Sequence, residues 1–175
     1  MNNNPLFKLK ITICGDYDPV RSLMNQFNPN LREYTKFMGF SNATKLVRTE
    51  KFNAKFLIWS KENSRFFNRS NFFSGSLGCI IPVDLTNRNN FTRVIDYRSE
   101  FRGMPTFLVS DKANLLNENV IENEETEEIP EDLADLMRNE RDLNYAEINT
   151  NTGAGIDELF EKLAAIIIAE QNYYK

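Results

Sequence analysis

Two short stretches, GCIIPV (78–83) and TFLVS (106–110), carry apolar residues almost without interruption. A strand with one wet face alternates apolar and polar residues. A run without that alternation is buried on both faces, as in the middle of a parallel sheet. Parallel neighbours need crossover connections, usually helical, and the sequence supplies helical periods in between. The residues 19–27 place Leu23, Met24 and Phe27 on one side, and 90–101 do the same with Phe91, Val94, Ile95 and Phe101. Further on, 131–140 shows Leu133, Leu136 and Met137. From Ile156 onward, Leu159, Phe160, Leu163, Ile166 and Ile167 recur at helical spacing, which predicts an amphipathic closing helix. Strands alternating with helices mean an α/β fold on a mostly parallel sheet.

Three more strand signals complete that sheet. LFKLKITIC (6–14) sets Phe7, Leu9, Ile11 and Ile13 two apart, a half-buried strand. ATKLVRT (43–49) and FNAKFLIW (52–59) meet at Glu50-Lys51 and read as a hairpin. YAEIN (145–149) is a last short strand. Residues 28–42 and 60–76 show no period and are expected to be irregular. The chain of 175 residues is expected to be a single domain, 1–175, with enough length to bury a full core.

Several classes of function fall away. The sequence has no histidine, which removes Ser-His-Asp and Cys-His catalysis and His-bearing zinc sites. No run approaches the roughly 18 apolar residues of a membrane span, and MNNNPLFKLK has no apolar signal region. QNYYK carries no prenyl-accepting cysteine, so membrane contact is expected to be at most indirect. Cys14 and Cys79 sit in apolar strands and read as reduced core thiols of a cytoplasmic protein. Charge is uneven: residues 1–75 hold 12 Lys/Arg against 5 Asp/Glu, whereas 113–137 hold 9 acids and no base. The segment 117–132 is too acidic to pack and is expected to be a loosely held insert. The basic half suits an acidic protein partner or an anionic surface, while an acidic overall balance argues against nucleic acid.

The stretch GDYDPVRS (15–22) closes the first strand where a phosphate-binding loop would lie. Gly15 and Ser22 fit the pattern G-x-x-x-x-G-K-S/T, but Val20 replaces its second Gly and Arg21 its Lys. Pro19 has no N–H to offer an anion, and Asp16 and Asp18 add negative charge. Another logic fits these residues. Asp is a preferred helix cap and Pro a preferred first helical residue, so Asp18-Pro19 predicts a self-capping helix start. The Asp18 carboxylate would then occupy the electropositive position that otherwise attracts phosphate.

FKLKITICGD, FLIW, GSLGCIIPVDLTNRNNF, FLVSDKANL and EINTNTGAGIDELFEKLA, in that order and spacing, resemble the Ras superfamily of small GTPases, especially its Rab branch. The resemblance covers nearly the whole chain. It implies a P-loop GTPase-like, three-layer α/β fold, with a six-stranded mostly parallel sheet flanked by helices. It also implies a site for GTP or GDP with magnesium, and there this sequence departs from the family pattern. Ser60 and Asn63 stand where the family has D-x-x-G, and Ser64 or Arg65 stands for its glutamine. Phe37 falls at the place of the magnesium-binding Thr, with Thr35 two residues early. The base-reading N-K-x-D becomes Asp111-Lys112-Ala113-Asn114, with its ends exchanged, and Asn149-Thr150-Asn151 replaces S-A-K. An Asn at 114 cannot accept from both guanine ring donors, and a carboxylate at 111 without partners would be costly to bury.

Two readings follow from the resemblance. In one, the chain is a pseudo-GTPase with no cofactor and no catalytic residue, binding a protein partner through the former switch face, where Phe37, Phe40, Phe66, Phe67 and Phe72 lie among Lys and Arg. In the other, it binds GTP, GDP or another purine nucleotide with little hydrolysis, through Gly15, Arg21, Ser22, Asp111, Lys112 and Asn114. A third class, a basic membrane-surface module, rests on the positive half alone.

Overall fold

The computed structural model describes residues 4–27, 40–62, 73–83, 101, 103–115 and 143–173. In chain order these form β1 (Leu6–Gly15), α1 (Tyr17–Asn25), β2 (Phe40–Arg48), β3 (Asn53–Glu62), β4 (Gly78–Val83), β5 (Thr106–Asp111), a one-turn α2 (Lys112–Leu115), β6 (Leu143–Ile148) and α3 (Ile156–Tyr173). The strands make one six-stranded sheet in the order β2-β3-β1-β4-β5-β6. Only the β2–β3 hairpin pairs antiparallel; β3–β1, β1–β4, β4–β5 and β5–β6 are parallel. The α/β sheet expected from the apolar runs is therefore the one formed. β4 and β5 are buried at every position, as their unbroken apolar character requires.

One face of the sheet carries the larger core. The odd residues Leu9, Ile11 and Ile13 of β1 and the even residues Phe56 and Ile58 of β3 meet Leu23 and Met24 of α1 and Leu159, Phe160 and Leu163 of α3. Phe160 packs edge-on against Phe56, with centroids 4.9 Å apart, and against Phe27 at 5.2 Å. Such pairs add about 0.5–1.5 kcal/mol beyond their buried area. On the opposite face Cys14, Cys79, Ile81, Leu108 and Leu143 surround Phe101, and Phe73 lies edge-on to that ring at 4.6 Å. Cys14 and Cys79 are buried and unbridged.

Two strands run further than their apolar pattern indicates. β3 continues through Ser60, Lys61 and Glu62, which pair with Ile13, Cys14 and Gly15. β2 begins at Phe40, opposite Lys61. Residues 40–42 and 60–62 belong to the stretches 28–42 and 60–76, expected to be irregular because they lack a period and hold many polar residues. Pairing in the sheet overrides that composition, and the buried Ser60 and Ser41 hydroxyls satisfy each other across the hairpin. The helices expected over 90–101 and 131–140 and the acidic segment 117–132 lie outside the described residues, apart from Phe101.

Candidate functional site

β1 delivers the chain to the turn at Gly15. Its φ of 154° is disfavoured for residues with a side chain, and a Cβ there would meet the Pro82 carbonyl oxygen at 3.2 Å and Val20 Cγ2 at 3.4 Å. Asp16 follows in extended geometry (φ −69°, ψ 154°) at the N-cap position, and the helix starts at Tyr17. The Val20 N–H donates to the Asp16 carbonyl at 3.1 Å, the first full turn of α1. The cap expected at Asp18 is thus two residues too late. Proline biases its predecessor away from helical geometry, but only as a preference. It is also tolerated within the first turn, where its missing N–H has no acceptor inside the helix. Asp18 is exposed in that first turn and Pro19 follows it, while the Asp16 side chain makes no capping hydrogen bond. Asp18 still complements the positive end of the helix as a charge. Val20 is fully buried against the sheet. Arg21 reaches back one turn to the Tyr17 hydroxyl, with its guanidinium 5.4 Å from the ring centroid.

One turn further along α1, the Ser22 hydroxyl enters a hydrogen-bond cluster that joins three parts of the chain. Asp111, at the end of β5, is buried. Its Oδ1 accepts from the backbone N–H of Ala113 and of Thr150, both at 3.0 Å. Its Oδ2 accepts the Thr150 hydroxyl at 2.5 Å. Ser22 Oγ lies 2.9 Å from Thr150 Oγ1 and 3.4 Å from Asp111 Oδ2. Each hydroxyl has one proton. Thr150 gives its proton to the carboxylate, so Ser22 gives its own to the Thr150 oxygen or, over the longer distance, to Asp111. Gln26 Nε2 closes the cluster by donating to the Thr150 carbonyl at 2.6 Å. The carboxylate expected to lack partners has several, because the turn after β6 brings up donors the sequence did not reveal. That turn is organised by Asn149, whose Oδ1 accepts from the N–H groups of Asn151 and Thr152 at 2.9 and 3.1 Å.

A sequence model of the Ras family matches residues 20–169. The chain belongs to the Ras family. Among curated proteins it is similar to a Ras-related protein Rab-4 of Dictyostelium discoideum, 24% identical over 95% of this chain and 82% of that one. It is likewise similar to the Ras-related protein Rab-7b of Homo sapiens, 25% identical over 94% of this chain and 85% of that one. The Ras-related protein Rab-1 of Theileria parva is 23% identical over 90% of this chain and 73% of that one. The six-stranded sheet, with its single antiparallel hairpin, is the fold this family predicts.

In this Ras-family member the other expected site residues divide. Lys112 opens α2 and turns outward to Glu147 of β6, Nζ to Oε2 2.6 Å, with both side chains about half exposed. Asn114 lies in α2, one turn beyond Asp111. Ser60 is buried and bonded to Ser41. Phe40 opens β2. Thr35, Phe37, Asn63, Ser64, Arg65, Phe66, Phe67 and Phe72 lie outside the described residues. Gly15, Ser22 and Asp111 are therefore gathered at one end of the sheet, the carboxyl ends of β1 and β5, where ligands of open α/β sheets bind. A groove of about 700 Å³ between the β2–β3 turn and α3, lined by Arg48, Phe52, Glu161 and Lys162, lies at the other end and shares no residue with it. Among the described residues no helix is long and apolar enough to cross a membrane.

Proposed function

We propose that this Ras-family protein is a pseudo-GTPase: the family's fold retained as a binding module, without a guanine-nucleotide cycle and without a catalytic residue. One observation carries the reading. The segment that the family pattern assigns to a phosphate-binding loop is α-helical from Tyr17, and the Val20 N–H that would cradle an anion is bonded to the Asp16 carbonyl. Cradling needs consecutive N–H groups turned toward one point, whereas N–H groups inside a helix are committed to carbonyls four residues back.

The neighbouring groups support the same reading. Ser22, which the pattern would give to magnesium, is hydrogen-bonded to Thr150 and Asp111. Asp111 is engaged by backbone and hydroxyl donors, and Lys112 by Glu147. The residues present do not fit GTP or GDP with magnesium in this arrangement. The family model's match begins at Val20, within the loop pattern, and leaves out Gly15 to Pro19.

In this reading the protein acts on a protein partner through the former switch face, with Phe37, Phe40, Phe66, Phe67 and Phe72 as anchors, in the cytoplasmic setting that two unbridged buried cysteines suit. The test is direct. Freshly purified protein is denatured and its supernatant chromatographed for nucleotide, and thermal unfolding is followed with GTP and magnesium. The expected outcome is no released nucleotide and no shift. A ligand at one hundred times its Kd would add about 2.7 kcal/mol, and that shift, or stoichiometric GTP or GDP released, would establish the divergent nucleotide-binding reading instead.

A further inference from the structure

The sequence holds two cysteines, and the fold brings them together. Cys14 is the last residue but one of β1, and Cys79 is the second of β4. Both belong to the cluster on the sheet face opposite α1 and α3, and neither reaches solvent. Their Sγ atoms lie 3.7 Å apart, across 65 residues of chain. Two nucleophilic atoms are thus in van der Waals contact. The rest of the cluster, Ile81, Val83, Phe101, Leu108 and Leu143, is apolar.

The pair is diagonal across the two strands. Register sets Cys79 beside Thr12, and the β1–β4 ladder ends one residue further on, at Ile13 and Ile80. Cys14 stands two residues past Thr12, so ordinary strand spacings put the two Cα atoms about 8 Å apart. A disulfide holds its Cα atoms at about 4.4–6.8 Å and its sulfurs at about 2.05 Å. Bridging therefore needs backbone movement, and the end of β1 is the part placed to move. It is paired on the β3 side alone, where Cys14 faces Lys61 and Gly15 faces Glu62. Drawing Cys14 toward Cys79 takes Gly15 with it. That turn is already close-packed, since a Cβ on Gly15 would meet the Pro82 carbonyl oxygen at 3.2 Å. Asp16 comes next, and its carbonyl holds the Val20 N–H of the first turn of α1.

We propose that Cys14 and Cys79 are a redox switch, thiols at rest and a disulfide under peroxide, whose closure displaces the Gly15 turn and loosens the start of α1. The assignment holds whether or not the nucleotide site is closed, because it requires no nucleotide. The chemistry balances with hydrogen peroxide as the oxidant. A local opening admits it, and one thiolate attacks a peroxide oxygen. The O–O bond breaks, leaving a sulfenic acid and a hydroxide, which the proton of that first thiol turns into water. The second sulfur then attacks the sulfenic sulfur, the S–O bond breaks, and a second water leaves with the remaining thiol proton. Two thiols are oxidised by two electrons, and one peroxide is reduced to two waters. A resolving thiol at 3.7 Å intercepts the sulfenic acid before more oxidant enters a buried site. A bridge made against the relaxed backbone is readily reduced again by thiol exchange.

The full chain, freshly reduced, is treated with hydrogen peroxide, quenched, and digested without reductant for mass spectrometry. The expected product is an intramolecular bridge joining the Cys14 and Cys79 peptides, about 2 Da lighter than the thiol pair and reversed by dithiothreitol. On the same samples, amide exchange over residues 16–22 should quicken at least tenfold, while that of α3 stays as it was. C14A and C79A, checked by thermal melts, should form no bridge and show no such change under peroxide; either variant alone suffices if the other does not fold. Thiols still reduced after prolonged peroxide, or sulfinic acid in place of a bridge, would overturn the proposal. So would a bridge that leaves exchange over 16–22 unchanged, or the same acceleration in the variants.

Discussion

Thr150 gives both its backbone N–H and its hydroxyl to the carboxylate of Asp111, at 3.0 and 2.5 Å, across 39 residues of chain. The pair fastens the turn after β6 to the end of β5, and Ser22 extends the link to α1. Replacing Asp111 by Ala would leave the buried N–H groups of Ala113 and Thr150 without an acceptor, at roughly 1–3 kcal/mol for each unsatisfied group. Asp111→Asn keeps an acceptor for both N–H groups, and its amide can donate to the two hydroxyl oxygens. D111A is therefore expected to lose about 2–4 kcal/mol and D111N clearly less, read from urea midpoints at constant m-value. Equal losses in the two variants would mean that the cluster is not what secures this corner.

Restoring the loop pattern should weaken the protein without giving it a nucleotide. Val20 is fully buried beside Gly15 and lies within α1. Val20→Gly removes a core side chain and adds a glycine to a helix interior, which costs about 1 kcal/mol against Ala on backbone grounds alone. The variant V20G/R21K is expected to be at least ~2 kcal/mol less stable than the parent. GTP with magnesium should not stabilise it, because Ser22 and Asp111 keep their partners. Calorimetric scans with and without nucleotide decide this. A variant hydrolysing GTP at ordinary GTPase rates would show that the closed helix start is not the barrier.

How much of this was legible in the sequence depended on the range of the interactions. β4 and β5 could be read from their own residues, because burial on both faces writes an unbroken apolar run. β3 outran its apolar stretch because Ser60 answers a hydroxyl on the neighbouring strand, at Ser41. The helix start was legible as a place but not as a residue. Asp16 and Asp18 are both competent caps, and proline's bias favoured the wrong one. The Asp111 cluster was hidden for a different reason: Thr150 differs from an ordinary turn threonine only by what stands opposite it. A carboxylate at the end of a buried strand was the available signal, since such a group must find donors.

Gly155 and Gly75 separate two costs of adding a methyl group. Both have left-handed backbone, with φ of 77° and 74°. At Gly155 a Cβ would fall 2.4 Å from the Glu147 carbonyl oxygen, whereas at Gly75 nothing lies within 4 Å. Gly75→Ala should cost about 1 kcal/mol, the conformational penalty alone. Gly155→Ala adds a backbone clash at the turn that leads β6 into α3, and is expected to cost at least twice as much. Chemical denaturation of the two variants side by side checks this. Equal costs would mean that the turn after β6 shifts freely, which its hydrogen bonds at Asn149 argue against.

Lys45 and Asp157 form an ion pair, Nζ to Oδ1 2.5 Å, whose two ends sit in different surroundings. The Asp157 side chain is 78% exposed and that of Lys45 only 16%. The ammonium also lies 5.5 Å from the Phe160 ring centroid and 5.8 Å from that of Phe27. An exposed ion pair contributes about 0–1 kcal/mol, so Asp157→Asn should change stability by a few tenths of a kcal/mol and less in 0.5 M salt. The Lys45 stem covers two rings of the core. Its loss removes packing as well as charge, so Lys45→Ala is expected to cost about 1–2 kcal/mol with little salt dependence, and Lys45→Met to recover much of that. If D157N and K45A were equally harmful, and equally relieved by salt, the contribution would be the ion pair and not the cover over Phe27 and Phe160.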